Sequence, residues 1–122
     1  MKDESVARDL RNRTREYALR IVRLYTNLPK STEAQVIGKQ VLRSGTSVGA
    51  HYREGSRARS TAEFVSKMAV GQQELDETLY WIEFLSAAEI VAPTRLEDLI
   101  DETNELLAIF ATCIKNAKGK SK

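Results

Sequence analysis

Helical periodicity with very few helix-breaking residues is the feature that most limits the folds open to this chain. Apolar residues recur every three or four positions through most of the 122 residues, and only two prolines interrupt the pattern. Pro29 ends the first apolar stripe, because the residue before a proline is disfavoured in a helix. The pattern therefore predicts an all-α protein built from four long helices.

Short connections separate the four predicted helices, which extend over about residues 5–28, 31–57, 60–91 and 94–117. Three residue pairs have capping-box spacing and mark helix starts: Thr32 with Gln35, Ser60 with Glu63, and Thr94 with Glu97. Long helices on short connections pack as antiparallel neighbours. We therefore predict an antiparallel, up-and-down four-helix bundle over residues 1–117, followed by a basic, disordered tail at residues 118–122.

Composition places the chain among globular proteins with one core, since 42% of the residues are apolar and 30% are charged. Cys113 is the only cysteine and lies in an apolar stretch, so we interpret it as a small core residue in a reducing compartment. The first 17 residues lack the apolar segment of a signal peptide, and no run approaches the roughly 20 apolar residues of a membrane span. We expect a cytoplasmic protein with no membrane partner.

Basic and acidic residues are distributed unevenly, although the net charge is only +2. Residues 1–61 contain 13 Lys or Arg and 6 Asp or Glu, whereas residues 62–105 contain 2 basic and 11 acidic residues. Four lysines follow in the last segment. This distribution favours either an anionic partner on one surface or pairing between basic and acidic helices or subunits.

Arginine, whose planar guanidinium suits bidentate contact with phosphate, supplies most of the basic residues in the first half. The candidate nucleic-acid-binding residues are Arg8, Arg11, Arg15, Arg20, Arg23, Arg53, Arg57 and Arg59. In one interpretation they form a surface that binds phosphate without reading base sequence. In the other they are solvated and pair within the protein with acidic residues: Glu16, Glu54, Glu74 or Glu77.

Gly38, Gly45 and Gly49 interrupt the second helix, and each costs about 1 kcal/mol relative to alanine. Gly45 and Gly49 are four residues apart and therefore share a face, with small residues beside them. Small side chains let two helix backbones approach closely. We interpret this segment as a close-packing device, directed against a neighbouring helix or a neighbouring subunit.

The third helix carries more apolar surface than one core contact needs, including the aromatic residues Tyr80, Trp81 and Phe84. These residues either widen the core contact or form a subunit interface. Both interpretations remain open at this point.

Histidine and carboxylate spacing invites comparison with di-iron bundles, which use a Glu-x-x-His motif on two helices. Here the only histidine, His51, precedes Glu54, and the order is therefore reversed. The sequence also lacks a nucleophile elbow and a glycine-rich nucleotide loop. We expect no catalytic residues, no metal site and no cofactor.

The segment VLRSGTSVGAHYREGSRARSTAEFVSKMAVGQQELDETLYWIEFL closely resembles a bacterial four-helix-bundle family. That family includes proteins encoded within intervening sequences of large-subunit ribosomal RNA genes and the accessory variability determinants of diversity-generating retroelements. The resemblance covers about Leu24 to Cys113. Its most specific parts are RSGTSVGA, the Tyr52-Arg53-Glu54 step and the segment from Glu74 to Trp81.

The resemblance implies a homo-oligomeric, pentameric ring, and for retroelement members it implies binding to nucleic acid and a reverse transcriptase. His51 occupies a position where the family usually has asparagine. We therefore expect a non-catalytic homo-oligomeric scaffold that binds RNA or DNA, as an accessory to a reverse transcriptase or in a ribonucleoprotein. The alternative is a protein–protein interaction module that binds no nucleic acid.

Overall fold

Four α-helices make up almost all of the protein in a computed structural model, which describes the backbone of residues 2–120 and the side chains of residues 9–120. The helices are α1 (Lys2–Thr26), α2 (Thr32–Ser56), α3 (Thr61–Ala87) and α4 (Glu97–Lys120), and no strand occurs in this range. A short 3-10 turn, Pro93–Arg95, precedes α4. The predicted all-α class and the number of helices are confirmed.

Serine side chains cap α2 and α3. The hydroxyl of Ser60 accepts a hydrogen bond from the amide of Glu63 at 3.1 Å, as the capping-box spacing predicts. At the start of α2 the cap is Ser31, whose hydroxyl accepts from the amide of Ala34 at 3.4 Å, and Thr32 is already helical. The α2 cap therefore lies one residue before the predicted one.

The end of α3 and the start of α4 differ from the expected positions. Glu89 adopts a left-handed conformation with φ of 59°, which stops α3 at Ala87 rather than near residue 91. Thr94 lies inside the 3-10 turn and does not cap α4, which begins at Glu97. At its other end α4 continues through Lys120, so helix extends three residues into the segment predicted to be a disordered tail.

Consecutive helices pack side by side in opposite directions. Along the α1–α2 contact, Ile21 lies against Gly45 and Thr14 lies against Gly49, so the numbering descends on one helix as it rises on the other. Helix α2 packs against α3 and α3 against α4 in the same way, and the four helices enclose one core. Its largest fully buried side chains are Tyr17, Phe110, Leu10, Ile21, Met68, Leu75, Ile82, Leu85, Leu96 and Leu106.

A layer of buried hydroxyl groups crosses this core, with one side chain from each helix: Tyr17, Ser44, Thr78 and Thr103. The hydroxyls of Ser44 and Thr78 lie 2.7 Å apart and link α2 to α3. Those of Tyr17 and Thr103, also 2.7 Å apart, link α1 to α4. A buried hydroxyl left without a partner costs about 1–3 kcal/mol, so this hydroxyl layer fixes the relative heights of the helices.

None of the helices described over residues 2–120 is long and apolar enough to cross a membrane.

Candidate nucleic-acid interface

The glycines of α2 bring that helix close to α1 of the same chain. A methyl group added at Gly45 would lie 2.7 Å from Cγ1 of Ile21, and one added at Gly49 would lie 3.2 Å from the hydroxyl oxygen of Thr14. These spaces are too tight or barely wide enough for a side chain. The close-packing device thus acts between neighbouring helices of one chain, which decides between the two partners left open by the sequence.

Arginines continue the glycine row toward the end of α2. The row consists of positions four residues apart: Gly45, Gly49, Arg53 and Arg57. Positions four apart on a helix shift gradually around its axis. The row therefore leaves the contact with α1 and reaches the surface. Arg53 and Arg57 are both exposed.

Two arginines of α1, Arg11 and Arg15, are exposed on the side of α1 that faces α2. Arg11 lies near Tyr52 of α2. Burial raises the pKa of Tyr52, and the positive charge of Arg11 partly offsets this rise. We call Arg11, Arg15, Arg53 and Arg57 the basic face. It lies along the outer groove between α1 and α2.

The basic face is distinguished by the absence of acidic partners. None of its four guanidinium groups makes an ion pair or a hydrogen bond with another side chain among residues 9–120. The charge of the face is therefore available to an anion in solution.

Other arginines of the same helices are committed to internal pairs. Arg13 donates to Glu102 through two nitrogen atoms, at 3.1 and 2.6 Å, and also to Glu105 at 3.1 Å. The hydrogen bond to Glu102 is the main cause that raises the pKa of Arg13.

On the opposite side of α2, Arg43 pairs with Glu77 and lies 3.5 Å from Glu74. The hydrogen bond from Arg43 holds the pKa of Glu77 below its usual value. Internal pairing, the alternative raised by the sequence, therefore occurs at Glu74 and Glu77 but involves arginines outside the predicted set.

The end of the molecule where α2 connects to α3 carries further positive charge. Besides Arg57, the described basic side chains of this basic end are Arg59, Lys67, Lys115, Lys118 and Lys120, because α4 ends beside the start of α3. Glu54 lies 3.1 Å from Lys67, and their hydrogen bond lowers the pKa of Glu54. Among the described side chains, exposed Asp9 and Glu63 are the nearby acidic residues of α1 and α3.

Arg20 and Arg23 lie far from the basic end. They line a cleft of about 430 Å³ near the end of α1 and the start of α4, together with Arg95 and Asp98. The structure does not bring these two predicted residues together with Arg53, Arg57 and Arg59. The side chain of Arg8, the remaining predicted residue, lies outside the described side chains.

An open cleft of about 1200 Å³ lies at the basic end, between the α2–α3 connection and the last turns of α4. Its lining residues include Leu10, Tyr52, Arg59, Ser60, Thr61, Phe64, Cys113, Lys115 and Lys120. Cys113 is half-buried at its wall rather than enclosed in the core, and burial raises the pKa of its thiol. No sequence pattern could indicate this cleft, because its walls come from segments far apart in the chain.

Aromatic side chains cluster on the outer face of α3. Tyr80 is 54% exposed and Phe84 39% exposed, while Trp81 is half-buried and donates from its indole nitrogen to Glu77 at 3.3 Å. The ring centroids of Tyr80 and Trp81 are 4.9 Å apart, and those of Trp81 and Phe84 are 6.0 Å apart. We call these three residues the aromatic cluster; it only partly joins the core.

His51 lies between two carboxylates at the α2–α3 contact. Its Nδ1 atom is 3.8 Å from Glu54 and its Nε2 atom is 3.7 Å from Glu74. Nδ1 is buried and makes no hydrogen bond. The residues that the structure describes contain no group of three His, Cys, Asp or Glu side chains placed to hold a metal ion.

These features define a class: an all-α, four-helix protein with a charged surface that is basic at one end. Residues 8–112 match the family of the 23S rRNA-intervening sequence protein, and the chain belongs to that family. The resemblance found in the sequence is thereby confirmed.

A solved structure supports the same assignment. The fold is similar to the crystal structure of a protein of unknown function from the S23 ribosomal protein family of Bacteroides thetaiotaomicron VPI-5482, with a TM-score of 0.85 and 34% sequence identity. The match covers 90% of this chain and 98% of that chain. Comparison with curated proteins gives no match.

Proposed function

We propose that this protein is a non-catalytic, homo-oligomeric scaffold that binds the phosphate backbone of RNA or DNA without reading base sequence. The observation that carries the proposal is the basic face, where four exposed arginines from two helices lie without acidic partners among the described side chains. Guanidinium groups bind phosphate in bidentate fashion, and release of counterions from the nucleic acid drives such binding.

The rigid support of the basic face favours this function. Arg53 and Arg57 follow directly on the glycine contact that holds α2 against α1, so both helices present their arginines at a fixed separation. Fixed charges lose less conformational freedom when they bind than charges on a mobile tail do. Arg59 and the lysines of the basic end add positive charge beside the basic face.

The pentameric ring belongs to the proposal through the family resemblance and the aromatic cluster. Tyr, Trp and Phe are enriched at subunit interfaces, and Tyr80 and Phe84 are more exposed than most large apolar residues. A ring would repeat the basic face five times. Linked copies of a weak phosphate site bind one strand far more tightly than a single copy.

A second candidate is a protein-interaction module, favoured by the same aromatic cluster. Clustered aromatic side chains beside a carboxylate, here Glu77, can anchor a partner protein. A reverse transcriptase or a ribonucleoprotein component is the partner that the family resemblance suggests. In this case the aromatic cluster binds a different protein, and the arginines play no part.

Binding of unrelated RNA and DNA sequences, measured by fluorescence anisotropy over a range of salt concentrations, tests the proposal. We expect similar affinities for all sequences and a steep loss of affinity as salt rises. Failure to bind any nucleic acid at low salt would contradict the proposal and favour the protein-interaction module.

A further inference from the structure

The cleft at the basic end combines an apolar interior with a basic rim. Leu10 and Tyr52 form its buried floor, and half-buried Phe64 adds an aromatic ring to its wall. At the rim, exposed Arg59 and Lys115 make no ion pair with another side chain among residues 9–120. The cleft is therefore amphipathic, with its positive charge placed at the mouth.

The start of α3 contributes a further anion-binding element to this rim. The hydroxyl of Ser60 accepts a hydrogen bond from the amide of Glu63, but the amides of Thr61 and Ala62 have no acceptor among the described residues. Free amides at a helix start attract phosphate, and the helix dipole adds to the attraction. Arg59 lies immediately before them, so the two elements act on the same side of the cleft.

We propose that this cleft holds an unpaired base of a bound RNA or DNA strand, with the adjacent phosphate against Arg59, Lys115 and the start of α3. A base has two flat, apolar faces that pack on aromatic side chains, and its phosphate needs cations within a few ångströms. The inference rests on the proposed function and adds that the bound nucleic acid is single-stranded at this site. A base held in a duplex cannot enter the cleft.

Two features favour a nucleotide over a protein segment as the occupant. Arg57 of the basic face and Arg59 of the cleft rim lie only two residues apart, so a strand bound on that face can reach the rim. An amphipathic helix would instead need a row of apolar contacts extending over several turns. The apolar side chains that line this cleft, by contrast, are confined to one end of the bundle.

Cys113 supplies a direct probe, since it is the only cysteine and lines the cleft. The rate of its modification by iodoacetamide is measured with three RNAs: a single-stranded oligouridylate of about ten nucleotides, an abasic strand with the same phosphates, and a duplex of equal length. We expect the oligouridylate to slow modification severalfold at saturation, whereas the abasic strand and the duplex bind but leave the rate unchanged.

The variant Phe64→Leu keeps an apolar side chain and removes the ring face. Because stacking on one aromatic ring changes affinity by about five- to a hundredfold, we expect this variant to lose at least fivefold in affinity for oligouridylate and none for the duplex. Tyr25→Leu removes a half-buried ring at the other end of the bundle, so it is the matched control and should change neither affinity.

The outcomes separate this inference from the proposed function. If all three RNAs bind and protect Cys113 equally, or none protects it, the base does not occupy the cleft and the inference is overturned. If no RNA binds at low salt, the proposed function fails as well. Protection by an acidic amphipathic peptide, but not by oligouridylate, would identify a protein as the occupant.

Discussion

The phenolic oxygen of Tyr17 lies 2.7 Å from the hydroxyl oxygen of Thr103, where the first and last helices meet in the core. The Thr103 hydroxyl also lies 2.7 Å from the carbonyl oxygen of Leu99, which can only accept. Thr103 therefore donates to Leu99, and Tyr17 donates to Thr103. At the surface of the same seam Arg13 pairs with Glu102, so directional polar contacts join α1 to α4.

Replacing Thr103 by valine should destabilise the protein by about 1–3 kcal/mol, because the buried Tyr17 hydroxyl loses its acceptor. Chemical denaturation measures the change. Thr112→Val is the matched control: Thr112 makes the same bond to a carbonyl four residues earlier, but it is exposed, so its loss should have little effect. The double variant Tyr17→Phe/Thr103→Val should recover part of the loss, and a strictly additive result would contradict this account.

Stability should fall at high pH because of Tyr17. Burial raises the pKa of this phenol to about 12 from an ordinary value of 10.0. Between these values the unfolded chain releases the proton and the folded chain keeps it. The contribution of Tyr17 to the free energy of unfolding should therefore be constant well below pH 10 and decrease by roughly 1.4 kcal/mol per pH unit between pH 10 and 12.

Denaturation curves at several alkaline pH values measure this dependence. In Tyr17→Phe the decrease should be smaller, although Tyr52, whose pKa is also raised by burial, continues to contribute. Identical pH profiles for the variant and the unmodified protein would refute the assignment to Tyr17.

Gly45→Ala should lower stability although alanine is the better helix former. The new methyl group would lie 2.7 Å from Ile21, and such overpacking typically costs about 1–3 kcal/mol, more than the roughly 1 kcal/mol gained in helix propensity. Gly119→Ala is the control, because no atom lies within 4 Å of its added methyl group, and it should be neutral or slightly stabilising. Adding Ile21→Ala should relieve the clash, so that the two losses are less than additive.

Removing two arginines from the basic face should weaken nucleic-acid binding on all sequences. For Arg53→Ala/Arg57→Ala we expect the slope of log affinity against log salt to decrease by roughly 1–2, since each phosphate contact contributes about 0.7–0.9. The pair Arg20→Ala/Arg23→Ala removes the same charge at the other end of the molecule. Equal effects of the two pairs would show that net charge, rather than the basic face, governs binding.

Polar substitution of the aromatic cluster should disrupt the proposed ring without unfolding the chain. Tyr80→Ser/Phe84→Ser is expected to shift the mass measured by light scattering from five times 13.7 kDa toward a single chain, with the helix content unchanged. Leu19→Ser/Val22→Ser replaces two exposed apolar residues of α1 and serves as the control. A single chain in the unmodified protein would instead argue against the ring.

Much of the fold could be predicted from local sequence signals. Helical periodicity identified four helices, and the Ser60 cap was predicted at the correct residue, because both depend on contacts within a few positions. The end of α3 was missed, since the left-handed turn at Glu89 has no glycine to signal it. The close-packing role of Gly45 was predicted, but its partner was not.

The sequence by itself determined the helical class, the place where α2 approaches another backbone, and the excess of arginine in the first half. Only the tertiary structure decided which arginines are paired: Arg13 and Arg43 meet carboxylates from other helices, whereas Arg53 and Arg57 meet none among the described side chains. Arg13 and Glu102 are 89 positions apart. Periodicity acts along one helix, but ion pairs and clefts depend on the register between helices, which the buried hydroxyl layer sets in three dimensions.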